Sequence, residues 1–222
     1  MTPADFDRRE ILGYLHTPSL DDRLSAMLEE AISALCAAAE PRTIWKQFPV
    51  THTEEGVRLG GLLLHGADIA LHLSGCEAAV LLAATLSGST DSLIRRAERT
   101  DMTKALLLDA VAGAAIEKLC NELEQELRQT LPYPYFTERF SVGYGDFPIA
   151  QQAELVRMLD ATRRIGLTVT PQSTMLPMKS VTALIGLSHQ PVTDARRFGC
   201  GRDCTECPYR SGCPFESSQS RA

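Results

Sequence analysis

Apolar residues recur at three- and four-residue intervals over residues 21–39, with Leu24, Leu28, Ala31 and Leu35 on one line. That spacing predicts a helix, and Pro41 closes it. Ser19 and Asp22 have the offset of an N-terminal capping pair. Residues 43–50 alternate imperfectly and predict a strand, Leu62 to Leu64 form a short apolar run, and residues 68–73 suit one or two helical turns. Residues 78–86 are almost wholly apolar, as a strand buried on both faces would be. The turn residues SGST follow, and residues 91–99 resume a helix. The longest helical pattern covers residues 101–129, with Met102, Leu106, Ile116, Leu119, Leu123 and Leu127 as its stripe. Gly113 lies inside it at a cost of roughly 1 kcal/mol relative to alanine, which implies another backbone packed close by. Pro132 and Pro134 end that helix. Residues 150–165 predict a helix with Leu155, Met158, Leu159 and Thr162 on one face, and residues 180–187 predict a strand.

Helices and apolar strands interleave without strict alternation. The pattern predicts an α+β fold, a central and mainly antiparallel sheet covered by long helices. Residues 1–191 form one body, and residues 192–222 form a polar, cysteine-rich tail.

Composition narrows the function. A formal net charge of −6 argues against nucleic acid as a partner. The N-terminal MTPADFDRRE fits no signal peptide, and the apolar runs are too short for a bilayer, so a cytoplasmic protein with no membrane partner is expected. Of seven cysteines, Cys36, Cys76 and Cys120 lie in apolar segments and read as core packing. Cys200, Cys204, Cys207 and Cys213 crowd into the tail as CGRDCTECPYRSGC. Thiolates at such intervals can wrap one metal ion or cluster, and an iron–sulfur cluster and a structural zinc both fit. The histidines, His16, His52, His65, His72 and His189, show no ligand spacing and read as ordinary surface or hydrogen-bonded residues. No nucleophile elbow, Walker loop or dinucleotide fingerprint occurs.

One stretch, RFSVGYGDFP at residues 139–148, suits neither helix nor strand. Gly143 and Gly145 let the chain bend sharply around Tyr144. Arg139 offers a planar fork for a carboxylate. Glu138 and Asp146 could accept from an ammonium, and the Tyr144 ring could stack on a base or attract a cation. Together these groups suit a zwitterionic amino acid with an aromatic appendage and a positive centre. S-adenosylmethionine is such a molecule.

Arg139-x-x-x-Gly143-Tyr144 resembles the RxxxGY core of the activation domain of cobalamin-dependent methionine synthase. The segments GADIALHLSGCEAAVLLAATLS, DSLIRRAERTDMTKALLLDAVAGAAIE and RFSVGYGDFPIAQQAELVRMLDATRRIGLTVTPQSTMLPMKSVTALIGLS resemble free-standing relatives of that domain. The likeness spans most of residues 40–190. It implies that Glu138, Arg139, Gly143, Tyr144 and Asp146 belong to an S-adenosylmethionine pocket. It implies an accessory subunit of methionine biosynthesis, which supports reductive methylation of a corrinoid. The cobalamin would be held by a partner methyltransferase subunit, because nothing here resembles the homocysteine, folate or cobalamin modules. The electron would come from a flavoprotein or ferredoxin. That redox task favours an iron–sulfur cluster over zinc at the tail cysteines. The family's fused domain has a tyrosine in the strand that here reads SVTALIGLSHQP, without one. That departure keeps an alternative in play: an iron–sulfur electron-transfer or corrinoid-protein docking module with no S-adenosylmethionine chemistry of its own.

Overall fold

The computed structural model of the chain describes residues 1–192. The cysteine tail, with Cys200, Cys204, Cys207 and Cys213, lies outside the described residues. In chain order the elements are α1 (Arg8–Tyr14), α2 (Asp22–Ala38), β1 (Arg42–Thr53), β2 (Gly56–Leu59), β3 (Leu62–Leu64), α3 (Ala67–His72) and β4 (Ala78–Thr85). There follow α4 (Gly88–Glu98), α5 (Met102–Thr130), β5 (Tyr135–Phe136), α6 (Gln152–Leu159), α7 (Ala161–Ile165), β6 (Thr168–Val169), β7 (Met175–Leu176) and β8 (Ser180–Ser188). Six strands form one antiparallel sheet in the order β3-β2-β1-β4-β8-β5, and β6 and β7 pair separately. The α+β expectation holds.

Strand β4 is buried along its whole length, as its unbroken apolar run predicts. Its side chains alternate between two cores. Ala79, Leu81 and Ala83 face a cluster built with α3, α6 and α7, whereas Ala78, Val80 and Leu82 face Leu123 and Leu127 of α5. A third cluster joins α1, α2 and α4 to the N-terminal half of α5. Helix α5 is therefore buried between the sheet and an outer layer of helices. No helix among the described residues is long and apolar enough to cross a membrane.

Several local expectations need correction. Asp21, rather than Ser19, caps α2, accepting from the Leu24 amide at 2.7 Å. The predicted stripe of α5 fails at its start. Met102 and Leu106 are 68% and 59% exposed, because the first turns pack on α2 and α4 through Ala105, Leu107 and Leu108 instead. Gly113 faces the ring of Tyr14, not a second backbone. The single helix predicted over residues 150–165 is broken at Asp160, which adopts the left-handed conformation. The break frees α7 to pack on β1. SGST is not wholly a turn, since α4 begins within it, and β1 runs past both ends of the predicted strand.

Gly186 in β8 shows how tightly the central strands are packed. A Cβ there would collide with the buried Cys76 sulfur and lie 3.0 Å from the Thr137 methyl. Gly186→Ala is expected to destabilise the fold by about 1–3 kcal/mol, as overpacking does. Adding Cys76→Ala should recover part of that loss. Urea denaturation of both single variants and the double variant measures the coupling.

Candidate functional site

The 139–148 loop leaves the sheet through Phe140. Its backbone pairs both ways with Leu184 of β8, at 2.9 and 2.8 Å. The Phe140 ring is buried and gathers other rings around it. His72 stacks on it at 4.8 Å, Phe147 at 6.2 Å, and Tyr144 meets it edge-on at 6.1 Å. Beyond Phe140 the chain turns through Gly143 and Gly145, whose φ values of +88° and +54° are in the left-handed range the sequence anticipates. The turn closes on itself through Gly143 N–H to the Phe147 carbonyl and Phe147 N–H to the Tyr144 carbonyl.

A reciprocal clamp fixes the loop to α3. The Asp146 carboxylate accepts from the Ala67 and Asp68 amides at 2.7 and 2.9 Å, and Asp68 accepts from the Asp146 amide at 3.1 Å. These donors, the Asp68 amide first, hold the Asp146 carboxyl below the usual carboxylate range. The clamp leaves no room for Cβ atoms. A Cβ on Gly145 would collide with Asp68, and one on Gly66 would lie 2.7 Å from Asp146. Past the loop, the Gln151 amide acts as one more strand residue for the edge of the sheet. It accepts from the His65 amide and donates to the Leu63 carbonyl, both at 2.8 Å.

What the rigid loop presents is an open cavity of about 720 Å³. Glu138, Arg139 and Tyr144 line it, as sequence reasoning anticipates. Asp146 and Gly143 are not among its lining residues. Asp146 is committed to α3, and Gly143 shapes the turn. Sequence reasoning missed the other walls. Glu117, Glu124 and Arg128 come from α5, Ser173 and Met175 from the β6–β7 hairpin, and Ser180, Val181 and Thr182 from β8. The α5 residues were legible in principle, because offsets of seven and four residues put three charged groups on one helical face.

Charges alternate across the cavity floor. Arg128 pairs with Glu124 at 2.7 Å, and Arg139 lies 4.0 Å from Glu124 and 2.9 Å from Glu117. The Arg139 side chain is only 19% exposed, yet its Nη1 is buried and makes no hydrogen bond among the described residues. An unpaired guanidinium nitrogen in such a place is unfavourable by about 1–3 kcal/mol or more. Tyr144 stands beside it, 52% exposed. The arrangement can hold a carboxylate on Arg139 and a cation near the glutamates.

The other groups singled out from sequence have structural roles. Cys76 and Cys120 are buried, and burial pushes their thiols up to about 11 and about 12. Cys36 is half-buried against the helical cluster. No group of His, Cys, Asp or Glu side chains among the described residues is arranged to hold a metal ion.

Among solved structures, the chain is similar to the MetH reactivation domain bound to AdoHcy, with a TM-score of 0.61. The two are 17% identical, and the match covers 79% of this chain and 68% of that one. The fold is thus that of a methionine synthase reactivation domain. No protein-family model matches the chain, and no curated protein does.

His72 supports the loop from beneath, bonded to the Thr137 hydroxyl at 2.9 Å. Burial holds its imidazole down at about 4, against a weaker opposing pull from a Glu138 backbone bond. The folded protein therefore binds fewer protons here than the unfolded chain. Stability is full above the unfolded value near 6.5 and declines as pH falls toward 4. By pH 5 the loss from this residue is expected to reach about 2 kcal/mol. Thermal melts of the wild type and His72→Gln at pH 7.5 and pH 5 check it. The variant should lose less stability on acidification.

Proposed function

We propose that the chain binds S-adenosylmethionine in this cavity and serves as the reactivation subunit of a cobalamin-dependent methyltransferase of the methionine synthase type. The buried, unpaired Nη1 of Arg139 carries the reading. A carboxylate placed there would satisfy it in a charge-assisted hydrogen bond. The nearby Glu117, Glu124 and Glu138 favour a ligand that also bears positive charge, which a lone carboxylate or a phosphate does not. The open face of Tyr144 suits either a purine or a cation. S-adenosylmethionine combines a carboxylate, an ammonium, a sulfonium and a purine. The likeness of fold to a domain solved with AdoHcy supports the same choice.

Bound there, S-adenosylmethionine supplies a methyl group on a sulfonium for transfer to a corrinoid cobalt carried by a partner. The chain's own contribution is positioning. Arg139 fixes one end of the ligand, the Gly143–Tyr144 turn fixes its approach, and the clamp through Asp146 and Asp68 keeps both still. Partner docking over the cavity mouth fits the exposed apolar side chains there. Tyr144 and Ile149 line the cavity and are half exposed, and the exposed Leu176 and Met178 lie in the short segment between the lining residues Met175 and Ser180. A flavoprotein or ferredoxin would deliver the electron.

Arg139→Ala is expected to weaken S-adenosylmethionine binding by about 1.5–3 kcal/mol, the range for a hydrogen bond to a charged group. Titration calorimetry measures it. Absence of heat with the intact protein at millimolar ligand would end this reading.

The tail belongs to the same proposal. Cys200, Cys204, Cys207 and Cys213 would ligate one centre, a four-iron cluster in keeping with electron delivery or a tetrahedral zinc. Anaerobically purified protein should be brown and should bleach on reduction, and Cys204→Ser with Cys207→Ser should remove the colour. A colourless protein containing zinc would establish the structural alternative. One with neither metal and four titratable thiols would exclude both.

A further inference from the structure

Helix α5 has one face that the sheet, α2 and α4 leave uncovered. Met102, Leu106 and Asp109 lie on it exposed, Gly113 follows, and Glu117, Glu124 and Arg128 continue it into the cavity. Gly113 is where α1 crosses this face. The Tyr14 ring lies flat against the glycine, so near that a Cβ there would sit 3.4–3.5 Å from three ring carbons. A Cβ there would just touch the ring in ordinary van der Waals contact, and a side chain with further branches would lift the ring away.

This placement puts Tyr14 just beyond the Glu117 end of the cavity, next to its lining residues and not among them. Glu117 is one helical turn beyond Gly113, and it holds the Arg139 guanidinium at 2.9 Å. On the other side of Gly113, Lys179 reaches across from the start of β8 and pairs with Asp109 at 2.8 Å. Lys179 is the neighbour of Ser180, a lining residue. The ring therefore stands between the ion pair that crosses from α5 to β8 and the ion pair that begins the cavity. Its phenol lies within electrostatic reach of Glu117, Glu10, Tyr144 and Arg139, and burial with these acids pushes it up to about 12. It stays uncharged across the whole physiological range. Yet Tyr14 remains 43% exposed, so part of the ring is open to a ligand. Strand β8, which forms the facing wall, has no aromatic residue.

We infer that Tyr14 is a ligand-binding residue of this cavity, an aromatic wall contributed by the N-terminal helix on which the cationic part of the ligand rests. The chemistry is that of a cation over a ring. An uncharged aromatic beside Glu117 and Glu10 attracts an ammonium or a sulfonium through its face, and the acids add to the attraction. The small residue at 113 then serves as the seat on which the ring from α1 rests beside the cavity.

The inference rests on S-adenosylmethionine binding, and calorimetry with that ligand tests the two separately. Tyr14→Ala should lower the affinity about three- to tenfold, the usual range for such a contact. Tyr14→Phe keeps the ring and should bind within about twofold of the intact protein, since the face acts and not the hydroxyl. Gly113→Leu keeps the tyrosine but lifts it from its seat, and should match Tyr14→Ala. Binding by the intact protein with unchanged affinity in Tyr14→Ala would overturn the inference and leave the proposed function standing. A loss in Tyr14→Phe as large as in Tyr14→Ala would overturn the assignment to the ring face. No binding by the intact protein would overturn both.

Discussion

The antiparallel pairing of β4 with β8 is the constraint on which the rest is built. Both strands are buried on both faces, and their register runs unbroken from Ala78 opposite Leu187 to Thr85 opposite Ser180. A strand buried in this way has one acceptable register, because a slip of one residue would exchange its two faces. That register sets where β8 begins, and so where Ser180, Val181 and Thr182 meet the cavity. It also sets where Leu184 offers its backbone to Phe140. The loop bearing Arg139 leaves the sheet at that bridge and is tied down again by the Asp68–Asp146 clamp. Its position is inherited from the sheet rather than chosen by the loop.

The second constraint is electrostatic. Arg139 is held mostly out of water, and a charge in that position needs partners. The face of α5 supplies two acids, and among the described residues the pairing is incomplete by one guanidinium nitrogen. A structural arginine would be served better by full pairing. The nitrogen left open is the donor that the carboxylate of the proposed ligand would take. The clamp between Asp68 and Asp146 makes the same distinction. Asp146 is on the loop beside the cavity, yet its carboxylate bonds α3 and fixes the backbone that presents Tyr144. Rigidity in the loop reduces the ordering that binding would otherwise require.

The division of labour around the cavity explains why the loop motif is so compact. Residues 139–144 supply one charged fork and one ring. The counter-charges come from a helix that ends before the motif starts, and the far wall comes from a hairpin and strand that follow it. Such a site can keep its loop sequence while its other walls change.

Sequence by itself determined the elements whose pattern is set by burial. The short unbroken apolar run of β4 fits an interior strand, and the long period of α5 fits a helix. It also determined the loop, because Gly143 and Gly145 announce left-handed backbone and Arg139 announces a carboxylate partner. Tertiary structure decided the rest. Nothing local distinguishes Asp146, which caps a helix seventy-eight positions away, from an acid that meets a ligand. Met102 and Leu106 fit the helical period, but only the packing of α2 and α4 against Ala105, Leu107 and Leu108 reveals that they lie outside the core. The break at Asp160 depends on one residue entering the left-handed region, which the docking of α7 on β1 stabilises and local propensity does not favour. Gly113 stated that something comes close. That the visitor is a ring from α1 is a contact between distant segments, and pairwise contacts of that kind are fixed by the fold, not by the period of either segment.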